Sequence, residues 1–363
     1  MRRLLFAVFF LLGPIGSAFG QARLTGRIVD ADTETPLPGV HVFIASTMVG
    51  TTTDTLGLYD LTSVPLGSAR LFVSMLGYHR AIRDIIISRP DTLHFDFTLK
   101  PEVISLGNIT VEAKLDKHWR KRLKKFIRLF IGEGPFAKDT EIMNPEVLDF
   151  ETKWYGKLTA RASEPLDIEN HALGYRIRYF LREFISTGTT LKYDGEPFFD
   201  EMTARNSEEN ETWQENRKRA YMGSFHHFMV ASLADQLADQ GFRIHRLPSL
   251  ERIDRNEWLF PVEVKDILHS GPSPGLRTLR FYGVIEVRYE RERETLAYVR
   301  RQGASFGRYP GDQRSWLELT HGPTDVDRNG TIIDPYGLTL YGYFAFEHMS
   351  DDLPNEYRPP SEQ

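Results

Sequence analysis

The segment ASEPLDIENHALGYRIRYFLREF, residues 162–184, contains the longest strand-like alternation in the chain. Alternate positions are apolar and would face a core: Tyr175, Ile177, Tyr179 and Leu181. The positions between them carry the basic side chains Arg176, Arg178 and Arg182. This period of two predicts a half-buried strand. Upstream, residues 164–174 contain Pro165, Asp167, Asn170 and Gly174, which favour turns, so we expect a compact connection there.

Around this strand, the sequence pattern of the second half of the chain predicts strands, then helices, then strands again. Strand patterns cover residues 148–154, 158–162, 280–289, 297–301, 315–320 and 339–346, and Tyr155-Gly156 would form a turn between the first two. Helix patterns cover residues 207–220 and 224–241, the second ending at Gly241. Strands around segregated helices predict an α+β domain with a mainly antiparallel sheet, which we assign to residues 116–363.

The N-terminal segment has the three-part pattern of a secretory signal peptide. Arg2 and Arg3 precede an apolar run over residues 4–12, and small residues follow up to Gly20. We predict a signal peptide at residues 1–20, cleaved after Gly20 or Ala22. The alternative is an uncleaved anchor, but a run of roughly ten residues falls short of the about 20 that a spanning helix needs.

Composition narrows the classes of partner. The chain has 45 Lys and Arg against 50 Asp and Glu, a formal net charge of -5, and this balance disfavours nucleic acid as a partner. It has no Cys, so an exported form would fold without disulfides or thiolate metal ligands. With 363 residues, two or three domains would be expected at about 150 residues each.

Residues 21–100 show short strand signals about ten residues apart, separated by turn-forming clusters such as the polar segment DADTETPLPG at residues 30–39. This spacing predicts a small antiparallel sandwich. We expect strands around residues 24–28, 40–44, 51–59, 71–75, 82–87 and 93–99.

The same region resembles a known family in an ordered set of motifs. They are Gly26 and Asp30, the run PLPGV at residues 36–40, Thr53-Asp54 with Gly57 and Tyr59, Pro65 with Gly67, and Gly77-Tyr78. The set is similar to the carboxypeptidase regulatory-like domain, a transthyretin-like β-sandwich found in envelope proteins of the Bacteroidetes. The resemblance implies this fold and brings no peptidase residues. Residues 104–113, ISLGNITVEA, weakly resemble the TonB box that follows such domains in receptors; the alternative is a last strand and a linker, residues 101–115.

Residues 116–131 predict a basic amphipathic helix. Trp119, Leu123, Phe126 and Phe130 recur at helical spacing, basic side chains occupy most other positions, and Gly132 follows. Such a helix could contact an anionic membrane surface, or it could pack on its own domain with a solvated basic face. The region from residue 116 onward also resembles the body of exported Bacteroidetes proteins of uncharacterised family, which implies a compartment and no established activity.

Several local patterns resemble sites without meeting their full requirements. The run GASFG around Ser305 has nucleophile-elbow spacing, but Pro310 follows where a helix is required. Residues 325–330 match the start of a calcium loop, yet the twelfth position is Tyr336 rather than Glu, so a polar turn is the better interpretation. Adjacent His226 and His227 would diverge on a helix, one facing the core and the other exposed.

Other candidate groups have simpler structural interpretations. The pairs Glu164 with Asp167 and Glu169 with His171 could supply acid and base groups, although turn residues are usually capping or solvated. The aromatic side chains Trp154, Tyr155, Tyr175 and Tyr179 could stack on sugar, although their strand spacing favours core packing.

The sequence therefore predicts an exported, periplasmic or outer-membrane-associated protein that acts as a non-catalytic binding or assembly module. Its expected partners are an envelope protein or glycan, with peripheral contact to an anionic membrane through residues 116–131. We assign no catalytic, cofactor-binding or metal-ligating residues and expect no cofactor. The alternative is an envelope hydrolase of peptide or glycan with its site in residues 140–346, where Glu169, His171 and His226 are the first candidates. A third hypothesis is a structural partner of an outer-membrane complex, contacted through the basic helix.

Overall fold

A computed structural model describes residues 21–102, 116–188, 190–252, 260–302, 309–334 and 336–360. The predicted signal peptide, residues 104–113 and Ser305 lie outside these ranges. Within them, no helix combines the length and apolar character needed to cross a membrane.

The N-terminal part is a sandwich of two four-stranded sheets. Its strands are β1 (Gln21–Asp30), β2 (His41–Ile44), β3 (Gly50–Thr52), β4 (Leu58–Pro65), β5 (Gly67–Ser74), β6 (Ala81–Ile87), β7 (Thr92–His94) and β8 (Phe97–Leu99). One sheet has the order β4-β1-β7, with β8 also paired to β1, and the other has the order β3-β2-β5-β6. Strand β1 pairs antiparallel with β4 but parallel with β7 and β8. Alternate residues of β1 are buried between the sheets, as a period of two requires. We call strands β1–β8 the N-terminal sandwich.

The C-terminal region, from residue 116 to residue 360, contains the remaining elements. Its helices are α1 (Lys117–Phe130), α2 (Ser207–Tyr221), α3 (Phe225–Leu233), α4 (Val264–Ile267) and α5 (Leu296–Arg301). Its strands are β9 (Thr140–Ile142), β10 (Leu148–Thr152), β11 (Leu158–Ala162), β12 (Leu166–Asn170), β13 (Tyr175–Ser186), β14 (Leu191–Glu201), β15 (Phe242–Leu247), β16 (Phe260–Pro261), β17 (Leu268–Ser270), β18 (Leu276–Leu279), β19 (Val284–Arg293), β20 (Asp312–Leu319), β21 (Thr324–Asp327) and β22 (Leu338–Gly342).

These strands form three antiparallel sheets. The first has the order β10-β11-β13-β12-β9 with β14 paired to β13; the second is β16-β15-β19-β20-β22, and the third is β17-β18-β21. Helix α1 covers the first sheet: Phe126 lies 4.7 Å from Phe184 between ring centroids, and Phe130 packs edge-on against Tyr179. The predicted fold class, a sandwich followed by an α+β domain with mainly antiparallel pairing, is confirmed.

The N-terminal sandwich packs against the first sheet of the C-terminal region through an aromatic cluster. Phe43 and Phe72 come from the sandwich, and Phe180 and Phe198 come from β13 and β14. The ring centroids of Phe43 and Phe198 are 5.1 Å apart. Gly50 lies against the same ring: a Cβ added there would come within 2.6 Å of Phe198. The ring of Phe198 therefore packs over a position where the sandwich has no side chain.

Polar contacts surround this cluster. Ser46 donates its backbone N–H to the carbonyl of Pro197 at 2.7 Å, and Phe199 donates to the carbonyl of Thr47 at 3.0 Å. The sandwich thus covers part of the outer edge of β14. Buried Glu196 lies 3.2 Å from the guanidinium of Arg70 in the sandwich. The two parts are joined by apolar packing, backbone hydrogen bonds and an ion pair.

Several predicted elements were wrong in detail. Residues 164–174 are not one connection: they contain β12, which pairs with β9 and β13 and whose Leu166, Ile168 and Asn170 are buried. The turn is confined to the four residues before β13. Residues 297–301, predicted as a strand, lie in α5, which Thr295 caps by accepting the N–H of Tyr298.

Other predicted boundaries were too generous. The helix predicted for residues 224–241 ends at Leu233, and residues 51–59 are split into β3 and β4 by a turn. The strand predicted for residues 93–99 is the two short strands β7 and β8. In each case a local polar or glycine-containing turn interrupts a pattern that reads continuously in sequence.

Candidate functional site

A cavity of about 250 Å³ lies in the C-terminal region where segments far apart in sequence converge. Its walls come from the loop after α1, the end of α2, the end of β19, the start of β20 and the segment after β22. The lining residues are Pro135, Phe136, Arg219, Ala220, Met222, Glu292, Arg293, Thr295, Gln313, Tyr343, Phe346, Glu347 and Asp351. We call this the carboxyl cavity, because three of its side chains are carboxylic acids.

Backbone hydrogen bonds fix the segment after β22, which supplies four of the lining residues. Tyr343 donates its N–H to the carbonyl of Arg314 at 2.9 Å, which anchors the start of the segment on β20. Further on, Met349 donates to the carbonyl of Phe130 at 3.2 Å, and Ser350 donates to that of Ile131 at 3.1 Å. These bonds also satisfy carbonyls at the C-terminal end of α1, which have no partner within the helix.

Burial shifts the acid–base properties of the three carboxyl groups. It raises the pKa of Glu347 well above its usual value, and the nearby Asp351 adds to the effect, although the Phe225 N–H donates to the carboxylate and opposes it. Burial likewise raises the pKa of Glu292, against the opposing charge of Arg219. It raises the pKa of Asp351 to about 6. Carboxylic acids whose pKa values are raised by burial are typical of ligand-binding or acid–base sites.

Gln313 adds an amide to this wall. Its side chain is only 5% exposed, and its Nε2 donates to Glu292 at 3.4 Å. Its Oε1 is buried and has no hydrogen-bond partner among the residues that the structure describes. A buried acceptor without a donor costs about 1–3 kcal/mol, so a donor that reached this atom would stabilise the wall. Metal binding is not indicated: the described ranges contain no group of three or more His, Asp or Glu side chains placed to hold an ion.

The residues predicted first as acid and base lie elsewhere. His171 Nε2 is 3.2 Å from the Glu169 carboxylate, but the imidazole is 58% exposed and Arg176 also contacts Glu169. This is a surface ion pair beside β12. His226 contacts the Arg358 guanidinium at 2.9 Å, and burial lowers its pKa to about 3. None of the three hydrolase candidates lines the carboxyl cavity.

The remaining motifs have structural roles. His227 is buried, as predicted for the core-facing member of the pair. His226 is partly buried rather than exposed. In the calcium-like loop, the fully buried Asp327 accepts hydrogen bonds from the backbone of Asn329 and Thr331, both at 2.9 Å, and from Ser68 of the N-terminal sandwich at 2.8 Å. It therefore closes a polar turn and helps hold the sandwich.

The turn between β10 and β11 exposes two aromatic rings, which we call the aromatic tip. Trp154 is 95% exposed and Tyr155 is 57% exposed, and their rings meet edge-on with centroids 5.5 Å apart. Core packing was the expected role of these two side chains, and that expectation was wrong because the strand ends at Thr152. Tyr175 and Tyr179, grouped with them in the sequence, are buried as expected.

Sequence reasoning missed the carboxyl cavity. Glu292 lies in the alternating run of β19, and Glu347 and Asp351 lie in the closing segment GYFAFEHMSDDLP, whose density of acids was the available signal. Nothing in the spacing of these residues indicated that β19 and the closing segment meet. Their convergence depends on the pairing of β19 with β20 and of β20 with β22.

Comparison with known proteins places the N-terminal sandwich in a family. The family model of the CarboxypepD_reg-like domain matches residues 24–111. This stretch is a carboxypeptidase regulatory-like domain. The resemblance inferred from the ordered motifs is thereby confirmed. The carboxypeptidase regulatory-like domain accounts for less than a third of the chain.

Two kinds of relative accompany this match. The TonB-dependent receptor P39 of Formosa agariphila is 35% identical over 108 residues, which are 30% of this chain and 9% of the receptor. This chain thus matches only a small part of that receptor's length. Among solved structures, 5-hydroxyisourate hydrolase of Klebsiella pneumoniae shares 25% identity over 23% of this chain and 88% of its own, with a TM-score of 0.19. Catechol 1,2-dioxygenase of Acinetobacter sp. ADP1 shares 16% identity over 25% of this chain and 56% of its own, with a TM-score of 0.21. Scores this low support no conclusion about function.

Proposed function

We propose that this chain is a cell-envelope binding or assembly protein without catalytic activity, exported across the inner membrane and located in the periplasm or at the outer membrane. The aromatic tip is the observation that carries the proposal. Similarity to part of a TonB-dependent receptor supports the envelope location, and the predicted signal peptide supports export. The expected partner is an envelope protein or glycan.

The aromatic tip has the chemistry of a recognition surface. An indole that is 95% exposed contributes almost no burial to the fold, so its hydrophobic surface is available to a partner. Trp and Tyr are enriched among the residues that dominate binding energy, and both stack on protein and sugar surfaces. The hairpin of β10 and β11 presents the two rings on a paired scaffold.

Helix α1 provides a second contact surface in this proposal. Its apolar face is buried on the first sheet, while Lys117, Arg120, Lys121, Lys124 and Arg128 are exposed. Exposed basic side chains on one face are attracted to an anionic lipid surface at about 1 kcal/mol each. We propose that α1 makes peripheral contact with such a surface and that the aromatic tip binds the partner.

The test is a mild pull-down of the tagged chain from its native envelope, with bound protein identified by mass spectrometry and bound glycan by composition. Wild type should retain a stoichiometric partner, and Trp154→Ala with Tyr155→Ala should lose it, because removing a central Trp costs about 2 kcal/mol or more, roughly thirtyfold in affinity. Tyr282→Ala is the matched control, since Tyr282 is 83% exposed elsewhere in the C-terminal region. Retention of the partner by the double variant would rule out the aromatic tip.

The carboxyl cavity supports a second candidate, an envelope hydrolase of peptide or glycan. Paired carboxylic acids with raised pKa values are what general acid catalysis requires. Purified protein would be incubated with envelope peptides and glycans, and hydrolysis by wild type that Glu292→Gln and Glu347→Gln each abolish would establish this function in place of the first. Glu290→Gln, which alters an exposed carboxylate on the same strand, is the control.

A further inference from the structure

We infer that the carboxyl cavity binds a small zwitterion, an amino acid or a molecule with the same pair of charged groups. Its ammonium would contact Glu347, Glu292 and Gln313, and its carboxylate would face Arg219. This site is separate from the aromatic tip and goes beyond the proposed binding function.

The inner wall is suited to an ammonium group. When the carboxyls are ionised, the wall offers three hydrogen-bond acceptors: Glu292, Glu347 and the partnerless Oε1 of Gln313. An ammonium offers three donors. The one N–H that the Gln313 amide directs at Glu292 orients the group within the wall.

Arg219 supplies the opposite charge at the cavity. Its guanidinium lies 5.8 Å from the ring centroid of Phe136 and acts electrostatically on Glu292. In the described part of the chain it forms no ion pair, whereas Arg293, the other cation in the wall, lies 3.9 Å from Asp312. Arginine binds carboxylates through paired N–H donors. A zwitterion can pair its ammonium with the acidic wall and its carboxylate with Arg219. A ligand with only a positive charge would be repelled by Arg219.

The volume of the cavity limits the ligand's size. Drug-sized ligands occupy pockets of about 300–1,000 Å³, and this cavity is about 250 Å³. Phe136, Tyr343 and Phe346 provide apolar surface for the ligand's carbon atoms. An amino acid of small or medium size meets these limits.

Binding should release protons. Because burial raises the pKa values of Glu347 and Glu292 in the empty cavity, an ammonium can pair with them fully only after they ionise. Asp351 and Tyr343 on the closing segment, with Arg219 and Arg293, are the other titratable groups that line the cavity, and Asp352 also acts electrostatically on Glu347. The carboxylate form is favoured as pH rises, so affinity should increase with pH, by up to about tenfold per unit for each proton released.

The test is isothermal titration calorimetry on the exported full-length protein with L-alanine, L-lysine and L-glutamate at millimolar concentration, from about pH 6 to about pH 8. n-Butylamine and propionate, which carry one charge each, are the control ligands. We expect at least one amino acid to bind, with Kd falling as pH rises and a heat that depends on the buffer's ionisation enthalpy, and neither control ligand to bind comparably.

Variants distinguish a loss of ligand binding at the cavity from a general loss of folding. Glu347→Gln and the solvent-exposed Arg219→Gln should each weaken binding at least tenfold, and Glu290→Gln should leave it unchanged. Glu347→Gln should also reduce the number of protons released. The inference is overturned if no amino acid binds, if n-butylamine binds as tightly as an amino acid, or if neither variant weakens binding. Envelope pull-down by the same variants should remain intact, which keeps this outcome distinct from the test of the aromatic tip.

Discussion

Asp351 shows how a single residue can couple the fold to pH. Its carboxylate accepts hydrogen bonds from the His348 N–H at 3.2 Å and from the Ser350 hydroxyl at 2.9 Å, both of which favour the charged form. Burial outweighs them and raises the pKa to about 6. The folded protein therefore keeps this proton up to a higher pH than the unfolded chain does. Asp351 consequently favours folding most under acidic conditions.

Replacing Asp351 by Asn should remove this dependence. Asn imitates the protonated acid, so the variant should gain stability relative to wild type as pH rises from about 4 to about 8, by about 3 kcal/mol for a shift of about two pKa units. Urea denaturation of both proteins across this range measures the difference. Burial lowers the pKa of His348 to about 4, but that residue is present in both proteins and cancels. A difference that does not change with pH would contradict the assignment.

At this scale, sequence reasoning identified which side chains are buried more reliably than which are functional. The alternation of Tyr175, Ile177, Tyr179 and Leu181 correctly predicted a buried face, because period two depends only on neighbouring positions. Glu292 and Glu347 acquire their properties from burial by distant segments. No local pattern encodes that environment, and the pair could not be predicted.

Helix α1 has one buried apolar face and one exposed basic face. Asp116 caps it by accepting the N–H of Trp119, and Trp119, Phe126 and Phe130 are buried. The apolar spacing and the following Gly132 made this helix predictable. By contrast, β12 was missed because Pro165, Asp167 and Asn170 resemble a turn, while its strand conformation is imposed by pairing with β9 and β13.

The exposed face of α1 gives a prediction at the scale of the element. Lys121→Glu with Lys124→Glu should reduce binding to vesicles containing anionic lipid, by about 1 kcal/mol or more per reversed charge, and leave the helix folded. Co-sedimentation measures the binding, and circular dichroism checks the fold. Lys265→Glu is the control, because Lys265 is an exposed lysine on α4. Equal loss with the control, or no binding by wild type, would exclude α1 as a membrane contact.

Across the whole molecule, the aromatic cluster joins the N-terminal sandwich to the C-terminal region. The sequence indicated two structural units from the change in motif and composition near residue 100. It could not indicate that Phe43 and Phe198 meet, because each belongs to a strand whose pattern is explained within its own sheet. Contacts between units depend on surface complementarity, which local periodicity does not reveal.

The cluster should couple the two parts energetically. Phe43→Ala and Phe198→Ala should each lower the free energy of unfolding by about 3 kcal/mol, since both rings are nearly fully buried. The double variant should lose less than the sum by about 0.5–1.5 kcal/mol, because the rings touch each other. Urea denaturation measures the cycle, with Tyr282→Ala expected to stay within about 0.5 kcal/mol of wild type. Strictly additive losses would show that the contact between these two rings does not couple the sandwich to the C-terminal region.

The loop after β2 has a consequence for the order in which the protein can mature. Met48 donates its N–H to Glu356 at 2.7 Å across 308 positions, and Asn355 donates to the carbonyl of Ser46 at 2.8 Å. A ribosome makes these partners at widely separated times, so the sandwich must wait, with this loop unsatisfied, until the late segment arrives. During that interval the polar backbone of the loop is open to chaperones and proteases. The contacts from residues 355 and 356 then close over it.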